Sequence, residues 1–357
     1  MSLLESFYNN RIENTRFYPR KVSLPDVGSY HLYGARGVGK TTLVVESLQP
    51  LPEDSWLYLD CQDPAFALED IDDVLLRAFL KEEEIETLVL DHYYEGFLES
   101  LPTEVRLILI TRSSETETDL PGIELFGLDY EEFLSFGRDL SPTHSFNRFL
   151  KSGSLPGMAH GETAALDTVF RPFFFASFDE DESRMMLILS RHQTHRVTTH
   201  QLYHHARESF RISKDRVYRT VKQFEEEKLL FFIEDVERKG ARKLILYDYA
   251  LSRYLNKAQP FAVTFDALVA LALIKHGFAF VALGNRGYLL GSELVLPAAF
   301  DNEESAWTNA YNRIHLYRQH TIQHVWLVSV SNRYRFELGG IVFEGIPFFE
   351  WSIVNEE

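Results

Sequence analysis

At 357 residues, the chain is too long for one ordinary core, and roughly two to four domains are expected. Its 45% hydrophobic and 25% charged content is that of an average globular protein, and a net charge of −17 argues against a chain that coats nucleic acid. The single cysteine, Cys61, excludes an internal disulfide and a cysteine-based zinc cluster.

No apolar run reaches the ~18 residues of a membrane span. The start, Met1-Ser2-Leu3-Leu4-Glu5, has no basic region ahead of an apolar stretch, so a cytoplasmic location is expected. The charge is unevenly placed. Residues 182–257 hold 16 Lys and Arg against 10 Asp and Glu, a local balance of +6, which leaves −23 for the remainder. Such a segment has its own electrostatic role, either toward a partner or toward an acidic neighbour domain.

In chain order, the first third alternates short apolar runs with helical patterns, the grammar of a parallel α/β sheet. The predicted strands are Tyr30–Tyr33, Trp56–Leu59, Thr87–Leu90, Arg106–Ile110 and Ile123–Phe126. Helical patterns fall at Lys40–Leu48 and Ile71–Phe79, and the sheet should end near Leu128. A helical stretch from Tyr130 to about Phe178 follows, broken at Gly153-Ser154-Leu155-Pro156-Gly157. The acidic run Asp179-Glu180-Asp181-Glu182 reads as a solvated linker. Beyond it come three short helices (Met185–Ser190, one that Thr198-Thr199 can cap and that runs through Ala206, and Arg216–Lys228) and two strands, Leu229–Ile233 and Leu244–Tyr247. The last part reads as α+β, with helices Phe265–Ile274 and Ser305–His320 and strands His324–Val330 and Tyr334–Phe343.

The strongest chemical signal is Gly34-Ala35-Arg36-Gly37-Val38-Gly39-Lys40-Thr41, a match to GxxxxGK[ST] between a strand end and a helix start that continues through Thr42. The glycines let backbone N–H groups converge on one anion, and the helix N-terminus adds partial positive charge there. Lys40 is expected at the β- and γ-phosphates and the Thr41 hydroxyl on Mg²⁺, with ATP the expected nucleotide. Asp91 closes a buried strand, where ligands of open α/β sheets lie, and is the expected metal acid. Thr111 ends the next strand and is a candidate hydrogen-bond partner of the γ-phosphate or the attacking water. Arg112 and Asp60 are further candidates at strand ends.

With these residues, positions 1 to about 180 resemble the AAA+ ATPases, in particular the bacterial and archaeal group that joins a P-loop domain to a winged helix. Gly34–Thr41, Asp91 and Thr111 are similar to that family's Walker A, Walker B and sensor-1 positions. Leu125–Leu134 resembles the PLS-x-x-EF lead into its lid helices, and Gly153–Pro156 its GGxP turn, which implies that Pro156 abuts the adenine. The resemblance also implies a sheet order of 5-1-4-3-2. The family usually follows the strand Asp with Glu, the general base. Here that position is His92, which when neutral can accept a proton near pH 7, so hydrolysis is expected to be slow.

Residues Arg184–Leu255 resemble a winged helix-turn-helix. Arg216, Arg219 and Lys222 lie on the third helix, and Arg238, Lys239, Arg242 and Lys243 on the hairpin. DNA phosphates are one use of such a surface and protein docking is another. His200 and His204 share a helix face at i and i+4, but no Cys or matched acid accompanies them, so they read as polar surface. The tail from about Gln259 is similar in placement to a restriction-endonuclease-like domain. Its strands Gly287–Gly291 and Leu294–Phe300 lack the acid and acid-x-Lys set of a working nuclease, and Glu293 and Asp301 at their margins are not a matching pair. The expected division is thus 1–128 P-loop core, 129–181 helical lid, 182–258 winged helix and 259–357 nuclease-like α+β domain without nuclease activity. The leading expectation is an ATP-dependent switch. The alternative is a DNA-binding regulator with ATP as a structural cofactor.

Overall fold

Residues 3–10, 12, 17–68, 71–136, 141–159, 166–238 and 240–354 are described by the structure, a computed structural model. They fall into two units: Met1–Gly127 with Glu226–Leu229, and Leu128–Glu225 with Leu230–Glu357.

The first unit runs α1 (Leu3–Asn9), β1 (Tyr30–Tyr33), α2 (Lys40–Leu48), β2 (Trp56–Asp60), α3 (Asp73–Glu82), β3 (Thr87–Asp91), β4 (Arg106–Ile110) and β5 (Gly122–Glu124). Consecutive apolar residues in β2, β3 and β4 are buried because both sheet faces are covered. One face packs Leu57, Leu59, Leu88, Leu90, Leu107 and Leu109 against Leu76 and Leu80 of α3. Asp72 starts α3 by accepting the Val74 and Leu75 N–H groups, two of the donors that a helix start leaves open.

All five strands are parallel in the order β2-β3-β4-β1-β5, the 5-1-4-3-2 order read from the other edge. This order sets the ends of β1, β3 and β4 side by side. The pairing of β2 with β3 also places Asp60 opposite Asp91.

The second unit begins with α4 (Tyr130–Ser135), α5 (Pro142–Ser152), α6 (Pro156–Ala159) and α7 (Leu166–Ser177). Next come α8 (Glu180–Arg191), β6 (Arg196–Val197), α9 (Thr199–Ser209), α10 (Lys214–Glu226), β7 (Leu230–Glu234) and β8 (Arg242–Leu246). The three strands form an antiparallel sheet, β6-β8-β7. The chain continues through α11 (Tyr249–Leu255), α12 (Phe261–Lys275), β9 (Val281–Ala282), β10 (Tyr288–Leu290), β11 (Glu293–Pro297) and α13 (Glu303–Gln319). It closes with β12 (His324–Ser329), β13 (Tyr334–Leu338), β14 (Ile341–Pro347) and α14 (Phe348–Val354). The six later strands form one mixed sheet, β13-β14-β12-β11-β10-β9. α13 packs Ala306, Ala310 and Tyr317 against it. Among the described residues, no helix is long and apolar enough to cross a membrane.

Three sequence expectations need correction. Asp179–Glu182 is no linker: it is the N-cap and first turn of α8, with a capping box between Asp179 and Glu182. Tyr334–Phe343 is two strands, because Gly339 and Gly340 take φ of 61° and 82° and turn the chain into a hairpin. The short edge strands β6 and β9 were not anticipated.

Candidate functional site

β1 ends at Tyr33, and the chain then turns through Gly34, Gly37 and Gly39, at φ of 145°, 81° and 94°. Side chains strain that region and glycine does not. At Gly34 there is also no room, since a Cβ would lie 2.2 Å from the Leu125 carbonyl oxygen. Gly39 is the N-cap of α2 and offers no side-chain acceptor to the helix start. The N–H groups of that turn, with the helix dipole behind them, suit an external anion. Ala35 and Val38 are buried and contribute through the backbone, while Thr42 sits in the first turn of α2. Arg20, which the sequence did not single out, braces the loop by donating to the carbonyls of Val38 (2.9 Å) and Phe126 (2.7 Å).

The Lys40 ammonium donates to the carbonyls of Gly34 (2.7 Å) and Ala35 (3.0 Å), curling over its own loop. Burial lowers its pKa to about 8 even though Asp91 pulls the other way. Thr41 Oγ1 donates to Asp91 Oδ2 at 2.6 Å, and the Tyr58 phenol donates to the same oxygen at 2.6 Å. Burial and the Asp91 charge push the Tyr58 phenol up, so it stays a donor. The His92 N–H donates to Asp91 Oδ1 at 2.7 Å. The fully buried Asp91 thus has three donors and sits beside the Thr41 hydroxyl.

His92 adopts φ of 53° and places Nδ1 2.9 Å from Asp60 Oδ1. That hydrogen bond, opposed by burial and helped by Asp91, raises its pKa. On Asp60, burial is outweighed by the bonds from His92 and the Gln62 N–H, which hold its carboxyl low. The neutral, proton-accepting ring expected from the sequence is therefore disfavoured, because Asp60 stabilises the imidazolium.

Thr111 ends β4 with its hydroxyl donating to the Ser113 carbonyl at 2.9 Å. Its only proton is used there, so the contact with His31 Nε2 at 2.6 Å is donated by the imidazole. Burial lowers the His31 pKa to about 4, so the ring is neutral with its proton on Nε2. Thr111 is consequently a bridge between two protein groups rather than a spare donor. Arg112 reaches Gln62 at 3.4 Å.

Arg36 departs furthest from the sequence reading. Its Nε and Nη2 donate to one oxygen of Glu227, at 2.9 and 2.6 Å, and both residues are 6% exposed. Glu227 belongs to the four-residue piece Glu226–Leu229 of the first unit. The Ser114 N–H fixes the Glu226 carbonyl at 3.0 Å, and Lys228 lies 3.9 Å from Glu124.

In the second unit, Pro156 opens α6 half-buried. Before it, Gly153 sits at φ of 80° against the buried Asp248, whose carboxylate takes the Ser154 N–H and hydroxyl. Three of the seven basic residues proposed to meet phosphates are engaged internally. Arg216 pairs with Asp181 (3.2 Å) and Asp179 (3.6 Å). Arg242 pairs with Glu225 at 3.1 Å and covers the Phe232 ring. Lys243 is a correction: it is 1% exposed, because its register in β8 turns it inward onto Asp266 at 2.7 Å and the Tyr288 ring. Arg219, Lys222 and Arg238 are exposed, and Lys239 lies outside the described residues.

The parallel sheet, its strand order and the glycine loop between β1 and α2 constitute the α/β fold of P-loop NTPases. Residues 28–116 match the family model described as an AAA domain. Among solved structures, the chain is similar to the Walker-type ATPase PABY2304 of Pyrococcus abyssi, at 12% identity over 63% of this chain and 90% of that one, with a TM-score of 0.42. It is also similar to the Orc1 protein of Aeropyrum pernix in complex with DNA, at 13% identity over 64% and 86%, with a TM-score of 0.30. For the replication initiator DnaA bound to AMPPCP and single-stranded DNA, the values are 14%, 56%, 83% and 0.29. No curated protein matches the chain.

Proposed function

We propose that the chain binds ATP with Mg²⁺ at Gly34–Thr41 and works as a nucleotide-dependent switch that hydrolyses slowly. The observation that carries this reading is the convergence of a glycine cradle, Lys40, and the Thr41–Asp91 contact at the carboxyl ends of the strands. The two oxygen donors, Thr41 Oγ1 and Asp91, fit Mg²⁺, a hard ion that takes one or two carboxylates and fills its shell with water and phosphate oxygens. When bound, the metal would neutralise phosphate charge. Lys40 would turn from its loop carbonyls to the β- and γ-phosphates. Slow turnover is supported by His92, which stands where the family has Glu and whose ring is engaged by Asp60 at 2.9 Å.

The switch reading is supported by the Arg36–Glu227 pair. Glu227 puts a carboxylate on a cradle arginine and acts electrostatically on Lys40 as well. It occupies cations that a phosphate would use, so nucleotide binding and the seating of Glu226–Leu229 oppose each other. The DNA-regulator alternative draws less support, since Arg216, Arg242 and Lys243 spend their charge on protein acids. The test is calorimetric titration of ATP into wild type and a folded Lys40→Ala variant. The expected loss is at least tenfold, about 1.4 kcal/mol. Equal affinities would remove the site assignment.

A further inference from the structure

The hairpin of β10 and β11 borders a cavity of about 290 Å³. It is near the small end of ligand pockets. One wall is α13, where Ala306, Asn309, Ala310 and Arg313 lie on one face at helical spacing. The alanines leave space, while Asn309 and Arg313 border it with polar groups. Opposite them are Asn285 and Arg286 of the β9–β10 turn.

The charges lining this cavity have an unusual arrangement. Arg286 is already paired with Glu237. Arg313, exposed on α13, acts electrostatically on the Tyr317 phenol and forms no ion pair among the described residues. Asp301 lines the same cavity and likewise forms no ion pair among them. Its carboxylate has only a 3.4 Å contact from the Asn309 amide. One cation and one anion therefore border a single cavity without meeting each other. Beside them Phe300, 71% exposed, lines the cavity and lies at a ring distance of 5.1 Å from Phe261.

We propose that this cavity binds a small zwitterion, an α-amino acid with an apolar side chain. Its carboxylate would meet Arg313, its ammonium Asp301, and its side chain the Phe300 ring and the alanine-lined wall. The Asn285 and Asn309 amides supply hydrogen bonds to either end. A ligand with both charges satisfies the two side chains together. A purely anionic ligand leaves Asp301 facing like charge, and a purely cationic one does the same to Arg313.

The test titrates the full chain with L-leucine and L-phenylalanine, and with two analogues of phenylalanine that lack one charge: 3-phenylpropionate and L-phenylalaninamide. Saturable binding of at least one amino acid is expected, at least tenfold tighter than either analogue. Arg313→Ala should erase the advantage over the amide, and Asp301→Asn the advantage over phenylpropionate. Lys40→Ala should leave all of these affinities unchanged, because the cavity is separate from the P-loop. Absence of saturable binding for both amino acids overturns the proposal. So do analogues that bind as tightly as phenylalanine, or folded Arg313 and Asp301 variants that behave as wild type.

Discussion

If Glu227 competes with nucleotide for the cradle, removing its charge should strengthen nucleotide binding. Glu227→Gln keeps the shape of the side chain and deletes the carboxylate that takes two hydrogen bonds from Arg36 at 2.9 and 2.6 Å. A net hydrogen bond to a charged group is worth about 1.5–3 kcal/mol. Giving it up on nucleotide binding would cost the wild type that amount, equivalent to an affinity lowered about 10- to 150-fold. The variant has less to surrender and no longer repels phosphate at Lys40, so both effects point the same way. The apoprotein should pay for this, because a buried arginine that loses its acid costs about 3–5 kcal/mol. Calorimetry should therefore show tighter ATP binding, and thermal unfolding a lower apo midpoint with a larger upward shift on adding ATP. Unchanged or weaker affinity in a folded Glu227→Gln protein would refute the competition.

The pH dependence of ATP affinity should follow Lys40. Its free-state pKa of about 8 lies below the ordinary lysine value, and phosphate binding raises it. Binding then takes up a proton above pH 8, so affinity is flat below that point and falls by up to about tenfold per pH unit above it. A titration series from pH 6.5 to 9.5 checks this, and Lys40→Arg should flatten the curve. Asp91→Asn should abolish the tightening of ATP binding by Mg²⁺ while leaving metal-free binding mostly intact, as read by paired titrations with and without EDTA. Gly153→Ala should destabilise the second unit by more than the ~1–2 kcal/mol of left-handed backbone strain. A Cβ there would lie 2.5 Å from Asp248 and 2.8 Å from Ala250, and chemical denaturation measures the loss.

The parallel sheet was legible because its information is local. Apolar runs of β2, β3 and β4 declare burial on both faces, and a P-loop is eight consecutive residues. The partners of those residues were not legible. Arg36 and Glu227 are 191 positions apart, and His92 and Asp60 are 32 apart, so no spacing rule links them. Lys243 misled because a run of basic residues reads as surface, whereas strand alternation decides which of them turns inward. The Asp179–Glu182 start of α8 was readable in principle. An Asp followed three positions later by Glu is a capping box, but four acids in a row looked like solvated chain.

The discontinuity of the first unit has a consequence for biogenesis. Its strands and P-loop are complete at Gly127, but the piece carrying Glu227 leaves the ribosome roughly a hundred residues later. At about 5–20 residues per second, that is an interval of several seconds. During it Arg36 stands in a nascent sheet without its bond to Glu227. If the cradle binds ATP as proposed, it can meet nucleotide before it meets Glu227. The acid would then enter a site that is already filled, and the first state of each new molecule would be set by the order of arrival.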